Sequence, residues 1–275
     1  MTKPLIHVFG IVRVASAPDL SDVSSDGDAA EFGTPRLIAC GELAALVGDI
    51  TLPNAMSLDQ ALADTGRAEE LVLHHHRVLE ALIRRQTVLP LRFGAVFADK
   101  HGLKATLREN RREWTSAIDR IEGAIEWGLK IYCSRERMAR RLARESPAIA
   151  RLREEISRAA DGRAFFLRRR AERLAEAEID RAIDRCLDQG AARLLAVARG
   201  SEAGKIQPAE VHGREGAMVF NGAYLVDRSR EHEFFEAVGG LSRAYGGFGI
   251  EYETTGPWPP YSFADRRPGG RGHAA

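Results

Sequence analysis

From Leu5 to Val14 apolar side chains run almost without interruption and are rich in Val and Ile. That is the pattern of a strand buried on both faces. Ala17 to Pro35 is rich in Ser, Asp and Gly and predicts a solvated loop. Arg36 to Cys40 and Leu43 to Ile50 follow as second and third strands across a turn at Gly41. Ser57 with Gln60 has the spacing of a capping box and opens a short helix that Gly66 interrupts. The main helix then carries Leu71, His75, Val78, Leu79, Leu82 and Ile83 on one face. Val88 to Phe97 predicts one strand, with Leu89, Leu91, Phe93, Ala95 and Phe97 on a shared face and Pro90 confining it to an edge or a strand start. Leu103, Leu107, Trp114, Ile118 and Ile121 mark a further amphipathic helix.

A second unit starts near Gly123. Ile125 to Ser134 alternates Trp127, Leu129, Ile131 and Cys133 against Glu126, Lys130 and Tyr132. Arg135 to Arg185 predicts helices divided at Pro147 and at Asp161-Gly162, the last running to about Arg199. This stretch holds 15 Arg against 10 Asp and Glu, a local excess of five positive charges. Ala217 to Val226 reads as a strand, Phe234, Val238, Leu241 and Tyr245 as one helix face, and Phe248, Ile250 and Tyr252 as a last strand. The expected fold is α+β: two α/β domains, residues 1–122 and 123–275, the second ferredoxin-like. Into that second domain an Arg-rich helical region, about residues 135–200, is inserted.

Composition narrows the function. Hydrophobic residues are 44% and charged residues 29% of the chain, with a formal net charge of +1. These are the proportions of a soluble globular protein without a global attraction to nucleic acid or anionic membrane. Cys40, Cys133 and Cys186 are odd in number and far apart, which fits reduced thiols and not a disulfide framework. The first residues form no secretory apolar region, and nowhere do about 18 apolar residues follow one another. A cytoplasmic protein is expected.

Candidate chemistry is sparse. Three consecutive histidines, His74 to His76, diverge by about 100° each on a helix and cannot converge on one ion. Leu71, Val72, Val78 and Leu79 stand where further ligands to His75 would be needed, so His75 is expected to be packed and hydrogen-bonded between solvated neighbours. Gly200 to Ile206 is one residue short of a phosphate loop, and Ile206 replaces its Ser or Thr. In the Arg-rich helices acids are interleaved at i, i+4-like spacing, the pattern of a salt-bridged, solvated face.

Three stretches resemble the gas vesicle F/L family. The first is His75-His76-Arg77-Val78-Leu79 with the block Leu89-Pro90-Leu91-Arg92-Phe93-Gly94 a short distance after it. The second is Gly162 followed by Phe165 and Phe166, similar to the family's Gly-plus-aromatic helix start. The third and most specific is the ending, residues 256–263, Gly256-Pro257-Trp258-Pro259-Pro260-Tyr261-Ser262-Phe263. The resemblance spans about Leu5 to Phe263.

It implies two α/β domains, a role in forming gas vesicles, and binding to the small hydrophobic shell subunit and to further gas vesicle accessory proteins. No nucleic acid, membrane or cofactor is implied, and no catalytic, cofactor-binding or metal residue is assigned. Arg92 is expected as an internal fork to a carboxylate or carbonyls, with an anchor for an acidic partner as the other reading. Gly94 is expected to allow close backbone approach or a bulge. Trp258, Tyr261 and Phe263 either clamp the tail onto its own domains or anchor a partner, and the clamp is favoured because exposed aromatics invite aggregation. Two rival readings stand beside this one. One is an oxidoreductase on a paired ferredoxin-like scaffold, with His75 its candidate ligand; the other is a nucleic-acid binder using the Arg-rich helices.

Overall fold

The computed structural model describes residues 4–20, 33–50 and 65–264. The capping box at Ser57, most of the Ala17–Pro35 loop and the chain after Ala264 lie outside them. Two compact units result. One comprises the described residues up to Glu126 together with those from Pro257, and the other is Trp127–Gly256. The division therefore falls near Trp127 instead of Gly123, and the tail expected with the second domain belongs to the first unit.

In the first unit β1 (Leu5–Arg13) lies beside β3 (Leu43–Ile50), which pairs in turn with β2 (Arg36–Cys40), all antiparallel. Val8, Phe9, Ile11 and Val12 are wholly buried, so β1 is covered on both faces, as its unbroken apolar run required. Helix α1 (Thr65–Ile83) buries Leu71, Val78, Leu79 and Leu82 in one cluster with Phe9, Val12 and Leu46.

The single strand expected over Val88–Phe97 is two short ones, β4 (Leu89–Pro90) and β5 (Val96–Phe97), both paired to β1. Leu91 N–H donates to the Phe9 carbonyl at 3.0 Å and Val8 N–H to the Ala95 carbonyl at 2.9 Å. Residues 92–94 leave the ladder between those two bonds and turn back at Gly94, whose φ is +97°. A Cβ there would meet nothing within 4 Å, so Gly94 serves the turn and not a close approach. Leu91 and Phe93 are consequently half-buried, and Arg92 is exposed.

The helix expected over Leu103–Ile121 is also two, α2 (Lys100–Glu109) and α3 (Arg111–Ile121). They break at Asn110, whose side-chain amide donates to the Thr106 carbonyl at 2.9 Å. Asp99 caps α2 by accepting from Gly102 N–H at 2.9 Å.

Close approach is the issue at Gly10. A Cβ on it would stand 2.7 Å from both the Leu89 carbonyl oxygen and Val88 Cγ1. Gly10→Ala is therefore expected to lower stability by about 1–3 kcal/mol, as overpacking against backbone does. Thermal melting checks this, and an unchanged midpoint would mean that β4 does not lie against Gly10.

The second unit contains strand β6 (Ala124–Cys133) from Trp127 on, α4 (Arg135–Glu145), α5 (Pro147–Ser157), α6 (Asp161–Leu195) and β7 (Gly200–Ala203). After these come α7 (Ala209–His212), β8 (Ala217–Asp227), α8 (Glu231–Tyr245) and β9 (Ile250–Trp258), with strand order β7-β8-β6-β9. Strand β7 was not expected. It occupies Gly200–Ala203 of the phosphate-loop look-alike and pairs antiparallel with β8. The last strand begins at Ile250, not Phe248, and runs on through Pro257 to Trp258.

Leu129, Ile131, Cys133, Ile179, Tyr224 and Phe234 share the core, so the alternation of β6 does set its inner face. On the other face Tyr132 is nonetheless buried, with the Arg214 guanidinium 4.5 Å from its ring centroid. Ser134 and Ser146 cap α4 and α5. The arginines form i, i+4 pairs such as Arg140 with Glu136 and Arg141 with Glu145, the salt-bridged face the spacing predicted. All three cysteines are free thiols.

Candidate functional site

The most particular residues of the first unit converge where its chain returns at the C-terminus. From Pro257 the segment lies against the unit with Pro257, Pro259, Pro260 and Phe263 buried and Trp258 and Tyr261 half-buried. It ends in a short helix, α9 (Tyr261–Ala264), packed on α3 and β4. Three prolines restrict the extended stretch before docking, which reduces the entropy lost on ordering it.

His75 sits at the centre of the seam, 2% exposed, projected by the apolar stripe of α1. Its Nε2 is 3.0 Å from the Leu91 carbonyl and 3.1 Å from the Tyr261 hydroxyl. A carbonyl only accepts, so Nε2 carries the hydrogen and Nδ1 is left as an acceptor. His7 Nε2 stands 2.8 Å from that Nδ1 and donates to it. Phe9 and Phe93 close around the two imidazoles, with ring centroids 4.9 Å from His7 to Phe9 and 5.8 Å from His75 to Phe93.

Burial, and then the neighbouring histidines, hold His7 down at about 3. His75 is held down at about 4, first by burial. Its bond to the Leu91 carbonyl opposes that shift, and His76 and His74 add to it. Both rings are neutral at pH 7, and the network positions side chains without a charge to move.

His76 is not merely solvated, as the sequence suggested. Its ring lies 5.1 Å from Trp258 and stacks on Tyr261 at 6.4 Å. His74 is also half-buried, and burial lowers its pKa.

A second polar anchor holds α9. Glu126 is 7% exposed and accepts from Ser262 N–H at 2.9 Å and from the Ser262 hydroxyl at 2.8 Å. Such charge-assisted bonds offset part of the cost of burying a carboxylate. Burial, and next the Glu126 charge, push the Tyr261 phenol up.

Of the singled-out residues, the structure brings together His75, Leu89, Pro90, Phe93 and the 257–263 segment. Arg92 is exposed at the turn, and Gly162 lies in the second unit, in the first turn of α6. Sequence reasoning missed His7, Glu126 and Ser262. His7 was signalled as the one polar residue between Leu5 and Val12, and Glu126 as the one acid within β6. Among the described residues no group of three His, Cys, Asp and Glu side chains could hold a metal ion. No described helix is long and apolar enough to cross a membrane.

Fold and seam together define an α+β protein of two units whose most particular residues join its own C-terminal segment to its first sheet. A family model described as "Gas vesicle synthesis protein GvpL/GvpF" matches residues 5–265, and the chain belongs to that family. It is 36% identical to gas vesicle protein L of Streptomyces sp. (strain CB03234), over 84% of this chain and 83% of that protein. With gas vesicle protein F of the same strain it shares 27% identity, over 94% of this chain and 99% of the other. The crystal structure of GvpF from Anabaena sp. PCC7120 has the same fold, at a TM-score of 0.68 and 14% identity, covering 96% of this chain and 99% of that one.

Proposed function

We propose that this chain is a non-catalytic assembly factor of gas vesicles that acts in the cytoplasm. It binds the small hydrophobic shell subunit as the wall grows and keeps its apolar surfaces from aggregating. Family membership across residues 5–265 carries this reading. It is supported by where the family-like motifs go, since His75, Leu89, Pro90, Phe93 and the aromatic ending build an internal seam. The two neutral imidazoles end on a carbonyl acceptor instead of facing a reacting group. Other gas vesicle accessory proteins are further partners.

The test is to co-express the shell subunit with and without this chain and measure its soluble fraction and its co-purification. In parallel, the gene is deleted from a vesicle-forming cluster and restored. Co-purification, a severalfold gain in soluble shell subunit and loss of vesicles on deletion are expected. A shell subunit that neither co-purifies nor gains solubility overturns the reading.

A further inference from the structure

Helices α5 and α6, consecutive and packed side by side, enclose a groove of about 610 Å³. Apolar Ala148, Leu152 and Leu174 line it together with Arg151, Arg170 and Arg173, and a single carboxylate, Glu155, joins them. Four residues before Arg170, on the same helix stripe, stands Phe166. At 72% exposure it is the most exposed large apolar side chain among the described residues. Phe165 is 54% exposed and meets Phe166 edge to face at 5.7 Å. The Arg169 guanidinium lies 5.9 Å from the Phe165 centroid.

Charge here is unbalanced. Between Arg151 and Arg173 there are eight arginines and four acids. Several other arginines of these helices are paired, as in Arg140–Glu136, Arg141–Glu145 and Arg158–Glu154. Among the described residues, Arg151, Arg170 and Arg173 make no such ion pair. With a net charge of only +1 for the whole chain, the excess is local to this groove.

We propose that the α5–α6 groove, with Phe165 and Phe166 beside it, is the docking surface for an acidic amphipathic helix of a partner protein. A groove between two packed helices accepts the side-chain ridge of a third. The partner's apolar stripe covers Ala148, Leu152 and Leu174, and Phe166 inserts into that stripe. Asp or Glu at the flanks meets the three free guanidiniums. Arg and aromatic side chains around an apolar centre are the composition of protein interfaces. A phosphate backbone would use the arginines but leave the aliphatic lining uncovered. The proposal goes beyond the shell-subunit reading and holds whichever protein supplies the helix.

The test titrates the full chain against a labelled synthetic helix of about 18 residues, roughly five turns, with a leucine stripe flanked by glutamates. Its lysine-flanked twin, a single-stranded DNA and phosphatidylserine vesicles are run beside it. All mutated positions are exposed, so Phe166→Ser and the Arg170→Glu, Arg173→Glu pair should melt like the parent. The expected result is binding of the glutamate helix that weakens about tenfold or more in each variant, equivalent to about 1.4 kcal/mol. The charge-reversed pair should gain binding of the lysine twin. Failure of the glutamate helix to bind, or binding indifferent to the variants, overturns the proposal. Tighter binding of DNA or vesicles that the same variants abolish overturns it in favour of those ligands. Self-association in sedimentation that Phe166→Ser abolishes would assign the surface to a second copy. None of these outcomes depends on whether the shell subunit co-purifies, so the two readings fail separately.

Discussion

Ending the chain after Gly256 is expected to lower the melting temperature sharply, or to leave the first unit unable to fold. The cut removes Pro257, Pro259, Pro260 and Phe263 from buried positions and Trp258 and Tyr261 from half-buried ones. A fully buried large side chain contributes about 1.5–3 kcal/mol, and the half-buried rings contribute less. It also takes away both Ser262 donors to the buried Glu126 carboxylate, and a hydrogen bond to a charged group contributes about 1.5–3 kcal/mol. The sum is comparable with the ~5–15 kcal/mol that usually separates folded from unfolded protein. A Trp258→Ala, Tyr261→Ala double variant should show a smaller drop in the same direction. Melting curves and shell-subunit pull-down together decide between the two roles of the tail. Unchanged melting with lost pull-down would sink the clamp and make the segment a contact site.

Acidification should destabilise the first unit between about pH 6.5 and 4, more steeply than its carboxylates alone require. Above pH 6.5 His7 and His75 are neutral both folded and unfolded, and their pairing contributes in full. As pH falls below 6.5 the unfolded chain binds protons at both. The folded chain resists protonation until about 4 at His75 and about 3 at His7. The unfolded state therefore holds more protons throughout that window, and stability falls with pH by about 1.4 kcal/mol per unit for each ring. A His7→Phe, His75→Met variant replaces both partners with apolar groups. It should lose about 1–3 kcal/mol at pH 7, chiefly because the Leu91 carbonyl is left without its ring donor. Its stability should then vary less with pH across the window. Denaturant midpoints at pH 7, 6, 5 and 4 measure the difference in slope, and parallel profiles would show that the pair does not titrate as the geometry requires.

Much of this was written along the chain. The apolar run of β1, the stripe of α1 from Leu71 to Ile83 and the inner face of β6 all follow from local periodicity, because one buried face imposes its own repeat on the residues. The burial of His75 could be inferred as well, since Leu71, Val78 and Leu79 share its face. The family-like ending stood out because its residue order is so unusual, and its prolines already limited it to an extended course.

What the sequence alone determined, then, is where most of the helices and strands lie, that the fold mixes helix and sheet, and that it resembles the gas vesicle F/L family. Only the tertiary structure decided which unit the ending joins and what it touches. Trp258 ends the last strand and by proximity in the chain belonged with the second sheet, yet the segment packs on α3 and β4, more than a hundred residues away. No local pattern encodes such a contact, because it is made by Glu126 and His75 meeting Ser262 and Tyr261. The same holds for the break of Val88–Phe97 into β4 and β5. Its alternation reads as one strand, but hydrogen bonds from Val8 N–H and to the Phe9 carbonyl hold its two ends to β1 and leave Arg92 to Gly94 to turn outside the sheet. Periodicity reports which residues are buried, while long-range hydrogen bonds decide what buries them.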